Sequence, residues 1–211
     1  MRLVVATGNP GKVVEIRAIL ESLGEGAIEL RRLEPEDAVV FPDEGLDYEA
    51  NAVAKARAVA EQLGAAAVAD DSGIEVDALR GAPGPLSARY GGDELDDLGR
   101  VAKLLAALAG VAPGERGARF VCVSALATPE GKVVTARGEC AGRILDAPRG
   151  EGGFGYDPVF QPQGFSESMA QLPDDEKNRI SHRGRAFRAL MTRELVTLLA
   201  QTSSRALRSS T

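Results

Sequence analysis

The segment Thr7-Gly8-Asn9-Pro10-Gly11-Lys12 follows a short apolar run and could bind a phosphate group. Its glycines let the backbone come close to an anion, a helix starting there would offer free N–H groups, and Lys12 adds positive charge. A Walker A loop has wider glycine spacing and Ser or Thr after the lysine, where this chain has Val13. Taken alone, the segment is more typical of a tight strand-to-helix connection with an exposed lysine.

Two adjacent carboxylates, Asp70 and Asp71, follow the uncharged run at residues 65–69 and precede Ser72 and Gly73. Open α/β sheets bind ligands at the carboxyl ends of their strands, which favours a functional role. Because successive strand side chains point to opposite faces, we expect only one of the two carboxylates to face a cleft. The alternative is a plain turn, since Asp, Ser and Gly are common turn residues.

A glycine-dense stretch over residues 150–158 carries Phe154 and Tyr156 in a chain that is only 4% aromatic. The stretch matches the pattern G-x-G-x-x-G, but a dinucleotide site needs a helix directly afterwards, and Pro158 argues against one. The two aromatic rings could stack on a base. An equally open alternative is that they anchor the loop in the core.

The segment 176–183 holds the only histidine, His182, together with Lys177 and Arg183. Ser181 is a typical N-cap residue, which would place His182 and Arg183 in the first turn of the last helix. Cations at a helix N-terminus oppose the helix dipole unless an anion lies nearby, so this placement favours anion binding. The alternative is a solvated charge cluster, as for most charged runs.

These four segments together make up the parts of one site. They offer a backbone loop for anions, a carboxylate at a strand end, aromatic rings on a glycine-rich loop and a cationic helix start. The sequence therefore predicts a nucleoside-phosphate site in a metal-dependent enzyme.

Hydrophobic periodicity predicts the elements that position these segments. Strands are expected at residues 3–6, 28–33, 65–69, 74–79, 120–126 and 133–136, and helices at residues 13–23, at 48–63 and from about 181 onward. A further helix is predicted from a stripe formed by Leu95, Leu98, Ala102, Leu105 and Leu108. Strands alternate with helices first and pair with each other later, so we expect an α/β fold with a mixed sheet flanked by helices.

Composition excludes several classes of protein. The 211 residues are 44% hydrophobic and 27% charged, as in ordinary globular domains. A formal charge of −6 argues against broad nucleic-acid binding, and no apolar run is long enough for a signal peptide or a membrane span. Cys122 and Cys140 fit no metal spacing or disulfide framework, so we expect a reducing, cytoplasmic setting. We expect one domain over residues 1–200 and a frayed tail over residues 201–211.

The chain resembles the inosine triphosphate pyrophosphatase family in ordered motifs that cover most of its length. They are Thr7-Gly8-Asn9 with Lys12 and Glu15, Asn51-Ala52 with Lys55-Ala56, Ala69-Asp70-Asp71-Ser72-Gly73, Gly81-Ala82-Pro83-Gly84, Ser87-Ala88-Arg89-Tyr90, Gly153-Phe154-Gly155-Tyr156-Asp157-Pro158 and Ser181-His182-Arg183. That family hydrolyses aberrant purine nucleoside triphosphates to the monophosphate and diphosphate. The resemblance therefore implies a two-lobed α/β fold with the active-site cleft between the lobes, Mg²⁺ as the cofactor and, usually, a homodimer.

The resemblance also implies a role for each candidate residue. The phosphates would lie against residues 7–12, Lys12 and Lys55 would supply fixed positive charge, and Ser72 would contact the substrate. Asp71 would be the proton acceptor and a metal ligand. The nucleoside would be held by Phe154, Gly155, Tyr156, Asp157, Lys177, His182 and Arg183.

Three questions stay open in the sequence. The second acidic metal ligand is Asp43 or Glu44, of which we favour Glu44. Ala50 stands where such proteins usually have glutamate, and Glu49 beside it is turned about 100° around a helix. The alternatives for the activity are a pyrophosphatase for pyrimidine or modified nucleotides and a non-catalytic protein that binds purine nucleotides.

The expected base pocket is rich in hydrogen-bond donors. Lys177, His182, Arg183 and the N–H groups of the aromatic loop could satisfy O6 of hypoxanthine or xanthine, whereas adenine presents an amino donor. The sequence therefore predicts a preference for inosine, deoxyinosine and xanthosine triphosphates over ATP.

Overall fold

A computed structural model of the chain describes residues 2–23 and 29–191. These residues form one seven-stranded sheet with helices on both faces. The helices are α1 (Pro10–Ser22), α2 (Tyr48–Leu63), α3 (Asp97–Ala107), α4 (Asp174–Ile180) and α5 (His182–Leu190). The strands are β1 (Arg2–Val5), β2 (Glu29–Arg32), β3 (Ala67–Val76), β4 (Pro83–Gly84), β5 (Gly117–Ala127), β6 (Val133–Ile144) and β7 (Phe160–Pro162). The tail expected at residues 201–211 lies outside the described residues.

The sheet is mixed, as the alternation of elements predicted. Its order is β2-β1-β3-β5-β6-β7, with β4 paired to β3 away from this path. Strand β1 runs parallel to both β2 and β3, whereas β3, β5, β6 and β7 pair antiparallel in turn. The first half of the chain thus supplies the parallel part of the sheet, and the second half supplies the antiparallel part.

Strand β3 runs through the four residues that could have formed a turn. Asp70 pairs with Ser124 and Asp71 with Val123 in an unbroken antiparallel ladder with β5. The turn alternative for residues 70–73 is therefore wrong, because pairing inside the sheet overrides the local preference of these residue types. As a result, both carboxylates lie within the sheet rather than beyond the end of a strand.

Capping and turn residues in the sequence predict correctly the ends of helix α2 and the turn between β5 and β6. Helix α2 begins after Asp47, whose side chain accepts a hydrogen bond from Ala50 N at 2.8 Å, and ends at Gly64 with a φ of 60°. A left-handed residue at this position ends many helices, and glycine adopts it without strain. The predicted turn between β5 and β6 also forms, with Gly131 at a φ of 85°.

Helix α3 buries a stripe that coincides only in part with the predicted one. Leu108 is buried and Leu105 packs against the core, as predicted, whereas Leu98 is 73% exposed. The helix begins after Asp96, which accepts a hydrogen bond from the backbone three residues later, and its core contacts are completed by Val101 and Leu104. The helix was predicted, but its first turn faces solvent.

Three apolar clusters divide the fold into two lobes. In the first lobe, alternate residues of β1 face α2 on one side of the sheet and α1 with α5 on the other, as Val4 and Val5 show. The third cluster surrounds α3 and Phe160 and forms the second lobe. Strands β3 and β5 pass through both lobes, so the residues midway along β3 lie where the lobes meet. None of the described helices is long and apolar enough to cross a membrane.

Candidate active site

An open cleft where the two lobes meet brings together residues from both of them. Most predicted site residues line it: Asn9, Lys12, Glu44, Asp71, Ser72, Phe154, Gly155, Tyr156, Asp157, Lys177, His182 and Arg183. Five others do not line it directly: Thr7, Gly8, Pro10, Gly11 and Lys55.

Helix α1 begins at the edge of this cleft. Asn9 caps the helix by accepting a hydrogen bond from Lys12 N at 3.2 Å, and Thr7 Oγ1 accepts one from Asn9 N at 3.2 Å. No atom lies within 4 Å of the place where a Cβ on Gly8 would be. The backbone before α1 is therefore open to a ligand, as the phosphate-loop interpretation requires.

Asp71 lies in a hydrogen-bonded group that also contains the second candidate metal ligand. Its Oδ1 accepts a hydrogen bond from Lys55 Nζ at 3.0 Å, and its Oδ2 accepts one from Asn51 Nδ2 at 2.9 Å. Lys55 Nζ also donates to Glu44 Oε1 at 2.7 Å. Gly45 holds Asn51 through both its backbone N–H and its carbonyl group. One ammonium group therefore fixes two carboxylates at the cleft.

The two carboxylates differ in pKa. Burial raises the pKa of Asp71 above its usual range, although Lys55 and Asn51 act in the opposite direction. For Glu44, burial also opposes ionisation, but Lys55 outweighs it and holds the pKa below its usual range. Asp71 is therefore the better proton acceptor of the two, and Glu44 is the more firmly charged.

The neighbouring acidic residues lie elsewhere. Asp43 is exposed and does not line the cleft, whereas Glu44 does. Glu49 accepts a hydrogen bond from Thr135 Oγ1 at 2.7 Å, away from the cleft, so it does not replace the glutamate absent at Ala50. The geometry favours Glu44 as the second carboxylate of the site.

Asp70 points to the opposite face of β3 and is fully buried. Its Oδ2 lies 3.1 Å from Lys12 Nζ and accepts hydrogen bonds from Arg183 Nε at 3.3 Å and Nη2 at 3.1 Å. Burial opposes ionisation of Asp70, but Lys12 and Arg183 outweigh it and hold its pKa far below the usual range. Arg183 also donates to Ser72 Oγ at 2.9 Å, which places Ser72 at the cleft.

A second ionic group extends the first towards the aromatic loop. Glu15 on α1 accepts hydrogen bonds from Arg183 and lies 2.6 Å from Lys177 Nζ, which in turn lies 2.6 Å from Asp157 Oδ2. Burial opposes ionisation of Glu15, yet Arg183 and Lys177 hold its pKa below the usual range. Burial raises the pKa of Asp157, with Lys177 acting against it.

Helix α5 begins with the predicted N-cap, but the negative charge beside its first turn comes from the chain's own carboxylates and not from a bound anion. Ser181 accepts a hydrogen bond from Gly184 N at 3.0 Å, so His182 and Arg183 do lie in the first turn. Arg183 is balanced by the chain's own carboxylates, so its position at a helix N-terminus does not itself demand a bound anion. Burial, followed by the charge of Arg183, lowers the pKa of His182 well below its usual value, so this residue is neutral rather than cationic.

The two aromatic residues of the loop have different environments. The Phe154 ring packs against Gly11, where a Cβ would lie only 2.8 Å from the ring, and Lys177 Nζ lies 5.5 Å from the ring centroid. Tyr156 is buried in the second lobe and donates its hydroxyl hydrogen to Ser87 O at 2.9 Å. The core alternative is therefore correct for Tyr156, while Phe154 stays at the cleft as a possible stacking surface.

The N–H groups of this loop are not free donors, contrary to expectation. Phe154 N donates to Asp157 Oδ2 at 3.0 Å, and Gly155 N donates to Asp97 Oδ2 at 2.8 Å. These carboxylates fix the shape of the loop instead of leaving its backbone to a base. The donors that remain for a base are fewer than the sequence suggested.

Sequence reasoning assigned no role to Glu15, Asn51, Asp97 or Arg100, although each bonds to a cleft residue or lines the cleft. Glu15 lies three residues after Lys12, so the two side chains share a helix face, which is a usable signal. The contact of Asn51 with Asp71 depends on the tertiary fold. Asp97 and Arg100 are oppositely charged and three residues apart, a spacing that is common on exposed helix surfaces and gives no sign of a site.

We expect Asp70→Asn to lower the free energy of unfolding by about 3–5 kcal/mol, because it leaves Lys12 without its carboxylate partner and Arg183 with Glu15 alone. Since the pKa of Asp70 is lowered in the folded chain, its contribution is present at neutral pH and is lost only below the ordinary carboxylate range. Urea unfolding followed by circular dichroism measures the change. The control is Asp71→Asn, which removes a carboxylate whose ionised form burial disfavours, and should cost less than about 1 kcal/mol. Equal losses in the two variants would contradict this assignment.

The sequence as a whole matches known proteins over nearly all its length. Residues 3–193 match the model of the Ham1 family. The chain is 49% identical over 192 residues to a dITP/XTP pyrophosphatase of Geobacter sulfurreducens, an alignment covering 90% of this chain and 94% of that protein. It is 46% identical over 206 residues to a dITP/XTP pyrophosphatase of Streptomyces coelicolor, covering 92% and 98% respectively.

Solved structures agree with the fold described above. A HAM1 protein from Coxiella burnetii aligns with a TM-score of 0.79 and 36% identity, covering 95% of this chain and 99% of that one. A nucleoside-triphosphatase and dITP/XTP pyrophosphatase from Mycobacterium abscessus aligns with a TM-score of 0.69 and 45% identity, covering 90% and 98%. The resemblance carried by the motifs is thereby confirmed, and the chain belongs to the Ham1 family.

Proposed function

We propose that this chain hydrolyses non-standard purine nucleoside triphosphates, namely dITP, ITP and XTP, to the nucleoside monophosphate and diphosphate. One observation carries the proposal: Asp71 and Glu44 are held by the single ammonium group of Lys55 at a cleft that Lys12, Lys177 and Arg183 also line. The relatives quoted above, named dITP/XTP pyrophosphatases, support the substrate class.

The triphosphate would lie against the start of α1. The open backbone at Gly8 and the positive end of the α1 dipole favour negative charge there, although Pro10 has no N–H and Lys12 N is already bonded to Asn9. Lys12 uses one of its three N–H groups on Asp70, and Lys55 uses two on carboxylates, so each retains at least one for phosphate oxygens. Both ammonium groups are held in place before substrate arrives, which favours stabilisation of developing charge.

Glu44 and Asp71 have the chemistry expected for holding Mg²⁺, which we propose as the cofactor. Mg²⁺ in phosphate-transfer sites takes one or two carboxylates and completes its shell with substrate oxygens and water. Glu44 and Asp71, which both bond to Lys55 Nζ, would supply these carboxylates. When bound, the ion would neutralise phosphate charge and lower the pKa of an attacking water.

Asp71 would accept the proton of that water. Its raised pKa brings it closer to the operating pH than an ordinary aspartate, which makes proton transfer more favourable. Asn51 and Lys55 fix the two carboxylate oxygens, so the acceptor has a defined direction. Cleavage between the α- and β-phosphates then releases diphosphate.

The nucleoside would occupy the other end of the cleft. The Phe154 ring offers a stacking face that does not distinguish bases. Lys177 uses two N–H groups on Glu15 and Asp157 and has a third for an acceptor such as O6 of the purine. His182 lines the same end, stacked on Phe120 with ring centroids 4.6 Å apart.

The direct test is diphosphate release from dITP with Mg²⁺ and again with excess chelator. We expect release with the ion and none with the chelator, because the phosphate charge is then left uncompensated. Release that the chelator does not affect would contradict the metal mechanism. No release from any purine triphosphate would contradict the function and favour a protein that only binds nucleotides.

We expect Asp71→Asn to lower kcat at least about a hundredfold, the usual contribution of a positioned proton acceptor, without loss of the fold. The matched control is Asp43→Asn, which removes an exposed carboxylate close to Glu44 and should leave kcat unchanged. Steady-state diphosphate release at saturating dITP measures both variants. A kcat of Asp71→Asn near that of the wild type would refute the assignment.

We expect ITP, dITP and XTP to be hydrolysed with a kcat/KM at least about tenfold above that of ATP. Adenine would direct an amino donor at the Lys177 ammonium, and one unpaired donor corresponds to roughly tenfold or more. A panel of kcat/KM values over these four nucleotides checks this. ATP within tenfold of ITP would show that donors facing O6 do not determine the choice of purine.

We also propose a homodimer, on the ground of the family resemblance. Light scattering at micromolar concentration should then give about twice the chain mass. A mass near the 22.1 kDa of one chain would contradict it.

A further inference from the structure

Arg100 on α3 lines the cleft but takes part in none of the contacts assigned above to phosphate, metal or base. Its side chain is only 15% exposed. It belongs to the second lobe, whereas Lys12, Lys177 and Arg183 come from α1, α4 and α5. The cleft therefore has a guanidinium group on a helix that supplies no other cation to its lining.

The hydrogen bonds of Arg100 are incomplete. Its carboxylate partner is Asp97, one turn earlier, with Nη1 and Oδ1 3.6 Å apart, which is too long for a hydrogen bond. The other oxygen of Asp97 accepts from Gly155 N at 2.8 Å, so Asp97 is committed to the aromatic loop. Arg100 Nε is buried and has no hydrogen-bond partner among the described residues.

A buried guanidinium N–H without an acceptor is costly, and folded chains rarely leave one. At most positions another protein group supplies the acceptor, but here the unsatisfied side chain borders the cleft. Guanidinium groups carry only donors, so the missing partner is an oxygen or another acceptor, never an amino group.

We propose that Arg100 donates a hydrogen bond from its guanidinium group to an oxygen atom of the bound nucleotide, as a nucleotide-binding residue of the second lobe. This inference rests on the proposed function, since it takes the cleft to be the nucleotide site. Three kinds of oxygen could accept the bond: a phosphate oxygen or O6, common to all three substrates; the ribose 2′-hydroxyl, absent from dITP; and O2 of xanthine, absent from hypoxanthine.

The test compares Arg100→Gln with Lys103→Gln. Lys103 lies one turn further along α3, with its ammonium 5.7 Å from the Tyr90 ring centroid, and does not line the cleft. Both changes remove one positive charge from the same helix, so the pair separates a specific contact from a general effect of charge. Calorimetric titration with ITP, dITP and XTP in excess chelator gives dissociation constants without turnover, and kcat/KM is measured separately with Mg²⁺.

We expect Arg100→Gln to raise the dissociation constant of at least one nucleotide about tenfold or more, as for loss of one charge-assisted hydrogen bond, while Lys103→Gln stays within twofold of the wild type. An equal rise for all three nucleotides assigns the bond to a phosphate oxygen or O6. A rise confined to ITP and XTP assigns it to the 2′-hydroxyl, and a rise confined to XTP assigns it to O2.

A third variant, Arg100→Lys, keeps the charge but lacks the Nε donor and the planar fork, so it should not restore binding. Thermal unfolding of each variant verifies that the fold is retained. Arg100→Gln binding all three nucleotides as tightly as Lys103→Gln, or full binding by Arg100→Lys, would overturn the inference. Failure of the proposed function has a different signature: the wild type binds the nucleotides but releases no diphosphate with Mg²⁺.

Discussion

The burial of one charge, on Asp70, constrains the rest of the structure. A carboxylate in the middle of a central strand is tolerable only with cations beside it, since an isolated buried charge is very costly. The cations are Lys12 from α1 and Arg183 from α5, which are far apart in the sequence and reach the same oxygen. Both helices must therefore dock on the same face of β3 for that face to form. The proposed phosphate end and the proposed base end of the cleft are therefore positioned by the same interaction.

Because side chains alternate between the two faces of a strand, two adjacent carboxylates on β3 have different roles. Asp70 and Asp71 are neighbours, so they point to opposite faces of β3 and meet different partners. Asp70, whose Oδ2 meets both Lys12 and Arg183, has a pKa far below the usual range and is a poor proton acceptor. The pKa of Asp71 is raised because burial outweighs the single ammonium that it shares with Glu44. Adjacent residues of the same type thus acquire different properties from their surroundings alone.

Local signals and residue types were enough to predict much of the fold and most of the residues at the cleft. Helix α2 was predictable because its end at Gly64 depends on local backbone preferences, and the order of the motifs identified most cleft residues. The strand through residues 70–73 was not predictable from the same kind of signal, because its pairing with β5 overrides the local preference for a turn. The buried face of α3 was predicted only in part, because Leu98, apolar and in phase with the buried Leu108, is exposed.

The ionic partners could not be predicted from spacing at all. Arg183 and Asp70 are separated by 113 residues, and the sequence shows only that each residue carries a charge that could form an ion pair.

The consequence for function is that most hydrogen-bond donors at the proposed base end are already occupied by the chain's own carboxylates. Lys177 is held by Glu15 and Asp157, and the loop N–H groups are bonded as well. An ionic framework of this kind leaves few N–H groups free to bond a base, so we expect selectivity to depend on a small number of fixed donors rather than on a generally basic pocket.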